Sequence, residues 1–509
     1  MKSRAKRSIA GALVCCGLLL LNACGGGDST RLPDQADSSD AIVGSSQSGT
    51  TPFIGFVSFR GAALARVASI RFSIEPKLGS ASKPVGAKYS IAGLRRRGYV
   101  SIAGNAVTLP VFGLYAGFTN RISVQLTFDD ASIQTLSVQI STDAYVDPAG
   151  VYDRPAIRQA RSAGTGLGFD FFFMKSSLGS PVVVDTDGEI RWVGAGLVDA
   201  KSSAFQNGGF VIGDASAAVV RRVELDGTIT ESSLTSSIYT NFHHNLDEGK
   251  QGLLAELDSV AEGVRNIESN VAEISPSGVV LNEWDLAALL EKYMRSQGDD
   301  PTSFVRPGID WFHVNAATYD PRDDSLIVSS RENFVIKLDY TSGNVLWIFG
   351  DPTKYWYTFP SLRAKALVLD SGGLYPIGQH ATSITSDGLL MLFNDGLNSI
   401  NQPAGAPTGE SRTYSAVSAY AVDPRSLTAR EMWRFDYGQS IYSDICSSAY
   451  EAGGKSLLIS YAVAENRTKA RLVGLDGNRN VVFDFEYPTS SCSTSWNAQP
   501  IAFDNLSID

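Results

Sequence analysis

The chain has 509 residues, with 43 Lys and Arg against 53 Asp and Glu, for a formal charge of −10. That balance argues against a nucleic-acid binder, which needs a basic footprint, and the length leaves room for two or more domains. Only four histidines are present, in three short segments: "NFHHNLDEG" (His243, His244), "DWFHVNAATYD" (His313) and "GQHATSITSDG" (His380). So sparse a use of imidazole makes those segments the first place to look for chemistry.

In chain order, the N-terminus comes first. Lys2, Arg4, Lys6 and Arg7 precede an apolar run over 9–21, too short to span a bilayer and suited to an export signal. The run ends in "LNAC", which resembles a bacterial lipobox. Residues 1–23 are then a signal peptide and Cys24 is the lipid-attachment site. Losing 1–23 removes four basic residues and no acidic ones, leaving −14. Residues 24–52, rich in Gly, Ser, Asp and Thr, are expected to form a flexible tether. The expected location is the bacterial cell envelope, lipid-anchored and facing the periplasm, at the outer membrane. Cys15 and Cys16 leave with the signal, so Cys446 and Cys492 are expected to pair in that oxidising space. Two cysteines cannot build a typical structural zinc site.

Residues 53–147 carry short alternating runs such as "FIGFVSF", "SIRFSIEP" and "RISVQLTF" without a helical period. They predict a small antiparallel β-sandwich. "DPAGVYDRP" at 147–155 is the expected boundary, with a second domain over 148–509.

Beyond the boundary one phrase recurs: an apolar strand, a tight turn, and a second strand that often carries an aromatic. It centres on Gly188, Gly227, Gly278 and Gly343, then on Leu427 without its glycine, then on Gly477. The intervals are 39, 51, 65, 84 and 50 residues. A constant hairpin at irregular intervals fits propeller blades with insertions in their connecting loops, and six hairpins predict six blades. The fold class is therefore all-β: a six-bladed propeller preceded by a small sandwich. The one good helical run, "EWDLAALLEKYMRSQ" at 283–297, is expected to be an insertion near the pore.

Each histidine segment precedes a hydrophobic strand: "GLLAEL", "SLIVSS" and "GLLMLF". The separations are 70 residues from His243 to His313 and 67 from His313 to His380, about one blade each. Equivalent positions on innermost strands converge on a propeller's channel, so the imidazoles should face one another there. Backbone hydrogen bonding between blades is the alternative role. Adjacent strand residues face opposite sides, so only one of His243 and His244 should face the channel.

At this point a resemblance becomes specific. "DWFHVNAATYDPRDDSLIVSSRENFVIKLDYTSGNVLWIFGDP" (310–352) resembles the central motif of bacterial arylsulfate sulfotransferases, and "FHHNLD" and "GQHATS" resemble the other two histidine motifs. "LPVFGLYAGFTNRISVQLTF" (109–128) is similar to the family's N-terminal domain. Two departures stand out. Asn245 follows the histidine pair where the family carries an acidic residue, and the lipobox is not a general family feature.

The resemblance implies an exported enzyme that moves a sulfuryl group from a phenolic sulfate ester to a phenolic acceptor without a nucleotide donor. His380 matches the nucleophilic histidine, which would become a transient sulfohistidine in a ping-pong cycle. A neutral imidazole can attack an anionic sulfate ester without like-charge repulsion. His313 and Arg331 match the sulfate-contacting pair, and an Arg fork suits a set of equatorial oxygens. His244 is assigned acid–base work on the phenol oxygen. Asn315, on the same side of the extended chain as His313, could donate to the sulfate or cap a turn. His243 is counted with the substrate-contacting residues as the neighbour of His244. Phe242, Trp311, Phe312, Trp347, Trp356 and Tyr357 either line an acceptor pocket or pack the blades. No zinc cluster, phosphate-cradling loop or dinucleotide fingerprint is present, so neither metal nor cofactor is expected. Expected partners are the donor, the acceptor, the membrane through the lipid, and a second copy of the chain; nucleic acid is not among them. Two other classes stay open: a non-catalytic envelope lipoprotein that binds partners, and an aryl sulfate hydrolase on the same fold. The histidine set weighs against the first.

Overall fold

A computed structural model describes residues 42–153, 155–197, 199–261 and 263–509. The expected signal peptide, Cys24 and most of the tether lie outside the described residues. The described residues are predominantly β, with their strands in eight sheets.

Two sheets come from the N-terminal part. One holds Ile42–Ser48, Ile54–Arg60 and Ala106–Phe112; the other has Val67–Ile74 between Gly86–Ser90 and Thr119–Phe128, with Ile133–Ser141 beyond. Thr119–Phe128 alternates exposed and buried residues, as a strand with one wet face must. Ile54, Val57 and Phe59 of one sheet share a core with Ile70, Phe72 and Val124 of the other. Full burial of each such side chain contributes roughly 1.5–3 kcal/mol. The core continues into Phe171, Trp192 and Phe210, so this two-sheet unit is seated on the rest of the molecule.

Two boundaries differ from expectation. Ile42–Ser48 belongs to the expected tether, yet it pairs antiparallel with Ile54–Arg60, which gives partners to the backbone groups on that side. Leu506–Ile508 was assigned to the second domain, yet it runs parallel beside Gly86–Ser90 and buries Ile508 in the N-terminal core.

The other six sheets follow one another along the chain, and all six expected hairpins are present. Each forms consecutive strands on the same side of its sheet: Val182–Asp185 with Ile190–Val193, Val219–Glu224 with Ile229–Ser233, Val264–Ile274 with Val280–Asp285, Val335–Asp339 with Val345–Phe349, Ala416–Asp423 with Thr428–Phe435, and Lys469–Leu475 with Val481–Pro488. The turn glycines 188, 227, 278 and 343 all have positive φ, the conformation these turns require. Leu427 adopts the same conformation without being glycine (φ 50°), and the sixth turn places it at Arg479 rather than Gly477. The two ends of this region are exchanged. Asn497–Ile501 completes the first sheet beside Phe171–Lys175, and Ala156–Gln159 completes the last beside Val481–Pro488.

The opposite edge strands bring the histidine segments together. Tyr239–Glu248, Val314–Asp320 and Gln379–Ile384 are the edge strands of the third, fourth and fifth sheets, and each adjoins the next. The helix Leu286–Ser296 starts three residues later than predicted, because Val280–Asp285 is a strand and Asp285 caps the helix by accepting from Ala288 N. It lies away from the histidine edge of the sheets. Leu289 packs over Gly343, in the hairpin farthest from the histidine edge of the fourth sheet. Its apolar face finds cover there, with Leu286, Leu290 and Met294 in the same core as Leu338 and Val345. Among the described residues no helix is long and apolar enough to cross a membrane. Cys446 and Cys492 are joined, with Cα atoms 6.5 Å apart.

Candidate active site

His244 is the centre of the cluster. Its ring lies 4.7 Å from that of His313 and 6.4 Å from that of His380, centroid to centroid. The imidazoles therefore do converge, as their spacing predicted. The pair His243–His244 breaks the expected alternation. The strand loses register between Phe242 and Leu246, and this bulge brings Nδ1 of His243 within 2.7 Å of Nδ1 of His244. Both rings are buried, and Nε2 of His243 has no hydrogen-bond partner.

His380 is held by its neighbours. Gly378 carbonyl lies 3.0 Å from Nδ1, and a carbonyl only accepts, so Nδ1 carries the proton and Nε2 keeps its lone pair. Burial and the cationic charges of His313 and Arg331 push His380 well below the ordinary imidazole range, so it is unprotonated at neutral pH. Asp395 Oδ2 approaches the same Nδ1 to 2.7 Å but off the hydrogen-bond line, and neither carboxyl oxygen has a hydrogen-bond partner. Burial pushes Asp395 well above the usual carboxylate range, with the Arg331 charge pulling the other way. The residue after His380, Ala381, has φ 48°, a left-handed conformation that side chains resist.

Arg331 follows strand Ser325–Ser330 and its amide donates to the carbonyl of His313 at 3.1 Å, which ties the two residues across neighbouring strands. Its guanidinium is 2 % exposed. Nη1 donates to Glu332 at 2.6 Å, but Nε and Nη2 are buried without a partner. Leaving such donors unmet is costly, and they are free to donate to an anion. Glu332 is itself fixed from behind by the amides of Ile400 (2.9 Å) and Asn401 (2.8 Å). Lys354 Nζ donates to the carbonyls of Arg331 and Glu332, and burial lowers it to about 8.

Asn315 is tied to the neighbouring edge strand. Its Nδ2 donates to Gln379 carbonyl at 2.8 Å, as does Ser329 Oγ at 3.1 Å. These bonds fasten the residue before His380 to the fourth sheet. At Asn245, where the family motif carries an acid, the amide oxygen accepts from buried Lys175, and the side-chain nitrogen donates to Asp247 at 2.7 Å. Phe242, Trp311, Phe312, Trp347 and Trp356 are core residues, at most 3 % exposed, so they line no acceptor pocket; Tyr357 packs against the core that holds Trp311, Phe312 and Trp356. The aromatic ring at the cluster is Trp496, partly buried and 5.2 Å from His244.

Four site residues escaped sequence reasoning: Glu268, Asp310, Asp395 and Trp496. Asp310 sits three residues before His313 and was within reach of a motif reading. The others carry no local signal. Asp310 Oδ2 and Glu268 Oε2 approach His313 Nδ1 to 2.7 and 2.8 Å. Burial alone would lower His313, but these carboxylates raise it to about 10, so it is an imidazolium at neutral pH. Burial instead pushes His244 well below the ordinary range, so it stays neutral.

His244, His313 and His380 offer nitrogens within 4.8 Å of one another, a spacing that could suit a small divalent cation. The charges around them point the other way: a buried guanidinium with two unmet donors and a carboxylate-clamped imidazolium fit an anion. A cavity of 1190 Å³ lies at the opposite end of the same strands, lined by Asp247, Thr318, Thr382 and Tyr450 and by no histidine. The imidazoles and the Arg331 guanidinium lie at the other end of these strands, away from that cavity.

The arrangement can therefore hold an oxyanion against a neutral imidazole. Comparison with known proteins agrees with it. Over 230 residues the chain is 27% identical to arylsulfate sulfotransferase AssT of Escherichia coli O6:H1, covering 36% of this chain and 38% of that protein. Over 232 residues it is 26% identical to arylsulfate sulfotransferase AssT of Lelliottia amnigena, again covering 36% and 38%. The matched segments span well under half of each relative's length. The sequence profile named arylsulfotransferase (ASST) matches residues 158–497, which contain all six hairpins and all four histidines. With two thirds of its length matched by that profile, the chain belongs to the arylsulfotransferase family.

Proposed function

We propose that this protein transfers a sulfuryl group from a phenolic sulfate ester to a phenolic acceptor through a sulfohistidine at His380. The observation that carries the reading is the buried Arg331, with two unpartnered N–H groups, beside a neutral His380 whose Nε2 lone pair is free. Nε2 attacks sulfur, the N–S bond forms, and the S–O bond to the aryl oxygen breaks. The electron pair leaves on phenolate, whose acid has a pKa near about 10 and which departs far more readily than an alkoxide. Arg331 and the His313 imidazolium face the charge on the three non-bridging oxygens. In the second half, neutral His244 takes the proton of the entering phenol, the phenol oxygen attacks sulfur, and the N–S pair returns to His380. Trp496 is the ring placed to stack on a phenyl group. Asn315 and Ser329 hold Gln379, so Asn315 supports the nucleophile rather than contacting sulfate.

The architecture proposed with it is a six-bladed propeller behind a small N-terminal β-sandwich. Six successive sheets, their adjoining edge strands and the exchanged end strands support it. A lipid on Cys24 would tether the protein in the envelope at the periplasmic face of the outer membrane. Cys24→Ser should then move it from the membrane fraction to the soluble periplasmic fraction. Unchanged partition would place the anchor elsewhere.

The activity is tested with 4-nitrophenyl sulfate, with and without added phenol. Release of nitrophenol that rises with phenol, together with phenyl sulfate as product, is the expected result. Equal release in its absence would assign a hydrolase, and no release at all would leave a binding protein.

A further inference from the structure

We infer that Glu268, acting with Asp310, is a positioning residue of the sulfuryl site: the two carboxylates converge on one nitrogen of His313, hold that ring as an imidazolium, and aim its other N–H as a fixed donor. The inference deepens the sulfuryl-transfer reading and rests on it for its kinetic consequence.

The convergence is geometric. A single ring nitrogen, Nδ1 of His313, is hydrogen-bonded to Asp310 Oδ2 at 2.7 Å and has Glu268 Oε2 at 2.8 Å as an ion-pair partner off the hydrogen-bond line. Asp310 lies on His313's own segment and is held by Asn401, whose Nδ2 donates to its carbonyl at 2.8 Å and to Oδ2 at 3.1 Å. Glu268 comes from the third sheet, and the backbone there is bent to deliver it. Leu257 pairs with Asn270, but Ser259 pairs with Asn266, so residues 267–269 bulge out of the ladder. The Glu268 amide then donates to Asp258 Oδ1 at 2.8 Å instead of to a strand. Glu268 has φ 45° and His313 has φ 55°, both left-handed and neither a glycine. Two such conformations, facing each other across two sheets, persist only where the surroundings over-determine them, and they gather at functional sites.

Every charged or titratable neighbour fits this division of labour. From the third sheet come Glu268, His243, His244 and Asp258; from the fourth, Asp310, Arg331 and Glu332; from the fifth, His380 and Asp395. Glu268 also stands 3.8 Å from His244 Nδ1, yet the short contact is to His313. Glu268 itself is held well below the carboxylate range: burial opposes this, and the charge of the neighbouring His313 imidazolium overcomes it. One imidazole thus carries a lasting positive charge, and that charge helps keep His380 unprotonated. Without the clamp, three close imidazoles would compete for the same protons, and the nucleophile and the anion donor would exchange roles with pH.

The test uses the full-length protein labelled with ¹⁵N-histidine, in which four imidazoles give a countable set of ring signals. Between about pH 6 and about pH 8.5, His313 should show both ring nitrogens protonated while His380 stays neutral. In Glu268→Gln the charge partner is lost, so His313 should titrate inside that window. Because the imidazolium is the working form, donor cleavage should then fall as pH rises through the lowered value, by about tenfold or more at the alkaline end relative to wild type. Glu268→Asp, which keeps the charge, should restore most of that alkaline activity. If Glu268→Gln does not fold, Asp310→Asn on the more exposed side of the pair gives the same ring readout. A His313 that titrates near about 6.5 in the wild type, or one that stays cationic at about pH 8.5 in Glu268→Gln, would overturn the inference. A charged His313 in a protein that releases no nitrophenol would keep the clamp and overturn sulfuryl transfer instead.

Discussion

His380→Ala removes the burst of nitrophenol along with turnover. If His380 Nε2 is the attacking atom, the donor phenol leaves before the acceptor binds, and pre-steady-state release equals the amount of sulfated enzyme. Deleting the imidazole deletes that phase rather than slowing it. The expected loss in kcat is about 10⁴-fold or more, the scale seen when a covalent nucleophile is removed. The variant should fold, because the Gly378 carbonyl that His380 Nδ1 reaches can turn to water in the emptied pocket, and the Asn315 and Ser329 bonds go to Gln379 rather than to the ring. Mass spectrometry of a quenched wild-type reaction should place the added sulfuryl group on the peptide containing "GQHATS". Sulfation of His244 or His313 would reassign the roles within the same pocket. Full activity in His380→Ala would end the covalent reading.

Arg331→Ala should lower kcat/KM by roughly 10²–10³-fold, as for loss of an oxyanion donor, while still permitting slow labelling of His380. The argument starts from its two buried, unpartnered N–H groups. They find acceptors only when an anion is present, so their contribution appears with the charge of the transition state. Substitution by Ala also strands Glu332, whose carboxylate pairs with Arg331 at 2.6 Å and is fully buried. A buried charge left unpaired costs about 3–5 kcal/mol, so a thermal melt must accompany the kinetics. Arg331→Lys separates the two effects. It retains a charge for Glu332 but has no planar fork. Its stability should approach wild type while its kcat/KM stays well below. Wild-type kinetics in both variants would remove Arg331 from the site.

The six hairpins were legible because each is a local device. An apolar strand, a tight turn and a second strand are encoded within some fifteen residues, and the turn needs a left-handed residue whatever the sheet does later. Even Leu427, in place of a glycine, adopts that conformation because the flanking strands must still reverse. The convergence of His244, His313 and His380 was legible for a related reason. A rare residue repeated at one place in successive units marks one end of one edge strand in each.

What the tertiary structure alone decided lies where distant segments meet. Glu268 reaches His313 through a bulge, and bulges displace residues from the alternation on which a strand reading depends. The same effect put both His243 and His244 in the cluster, against the rule that neighbours face opposite sides. Asp395 is the residue after its strand, Leu390–Asn394, and Trp496 lies close to Cys492; neither carries a local mark of the histidines it meets. The strand Ile42–Ser48 reads as a polar linker by composition, but a waiting edge pairs its backbone. The aromatics beside the motifs went to the core because burying a large ring is worth more than exposing it at a polar site. Sequence therefore determined the repeated unit and the imidazoles it presents. Only the folded chain determined their charges, because protonation depends on which carboxylates and cations long-range packing brings within a few ångströms.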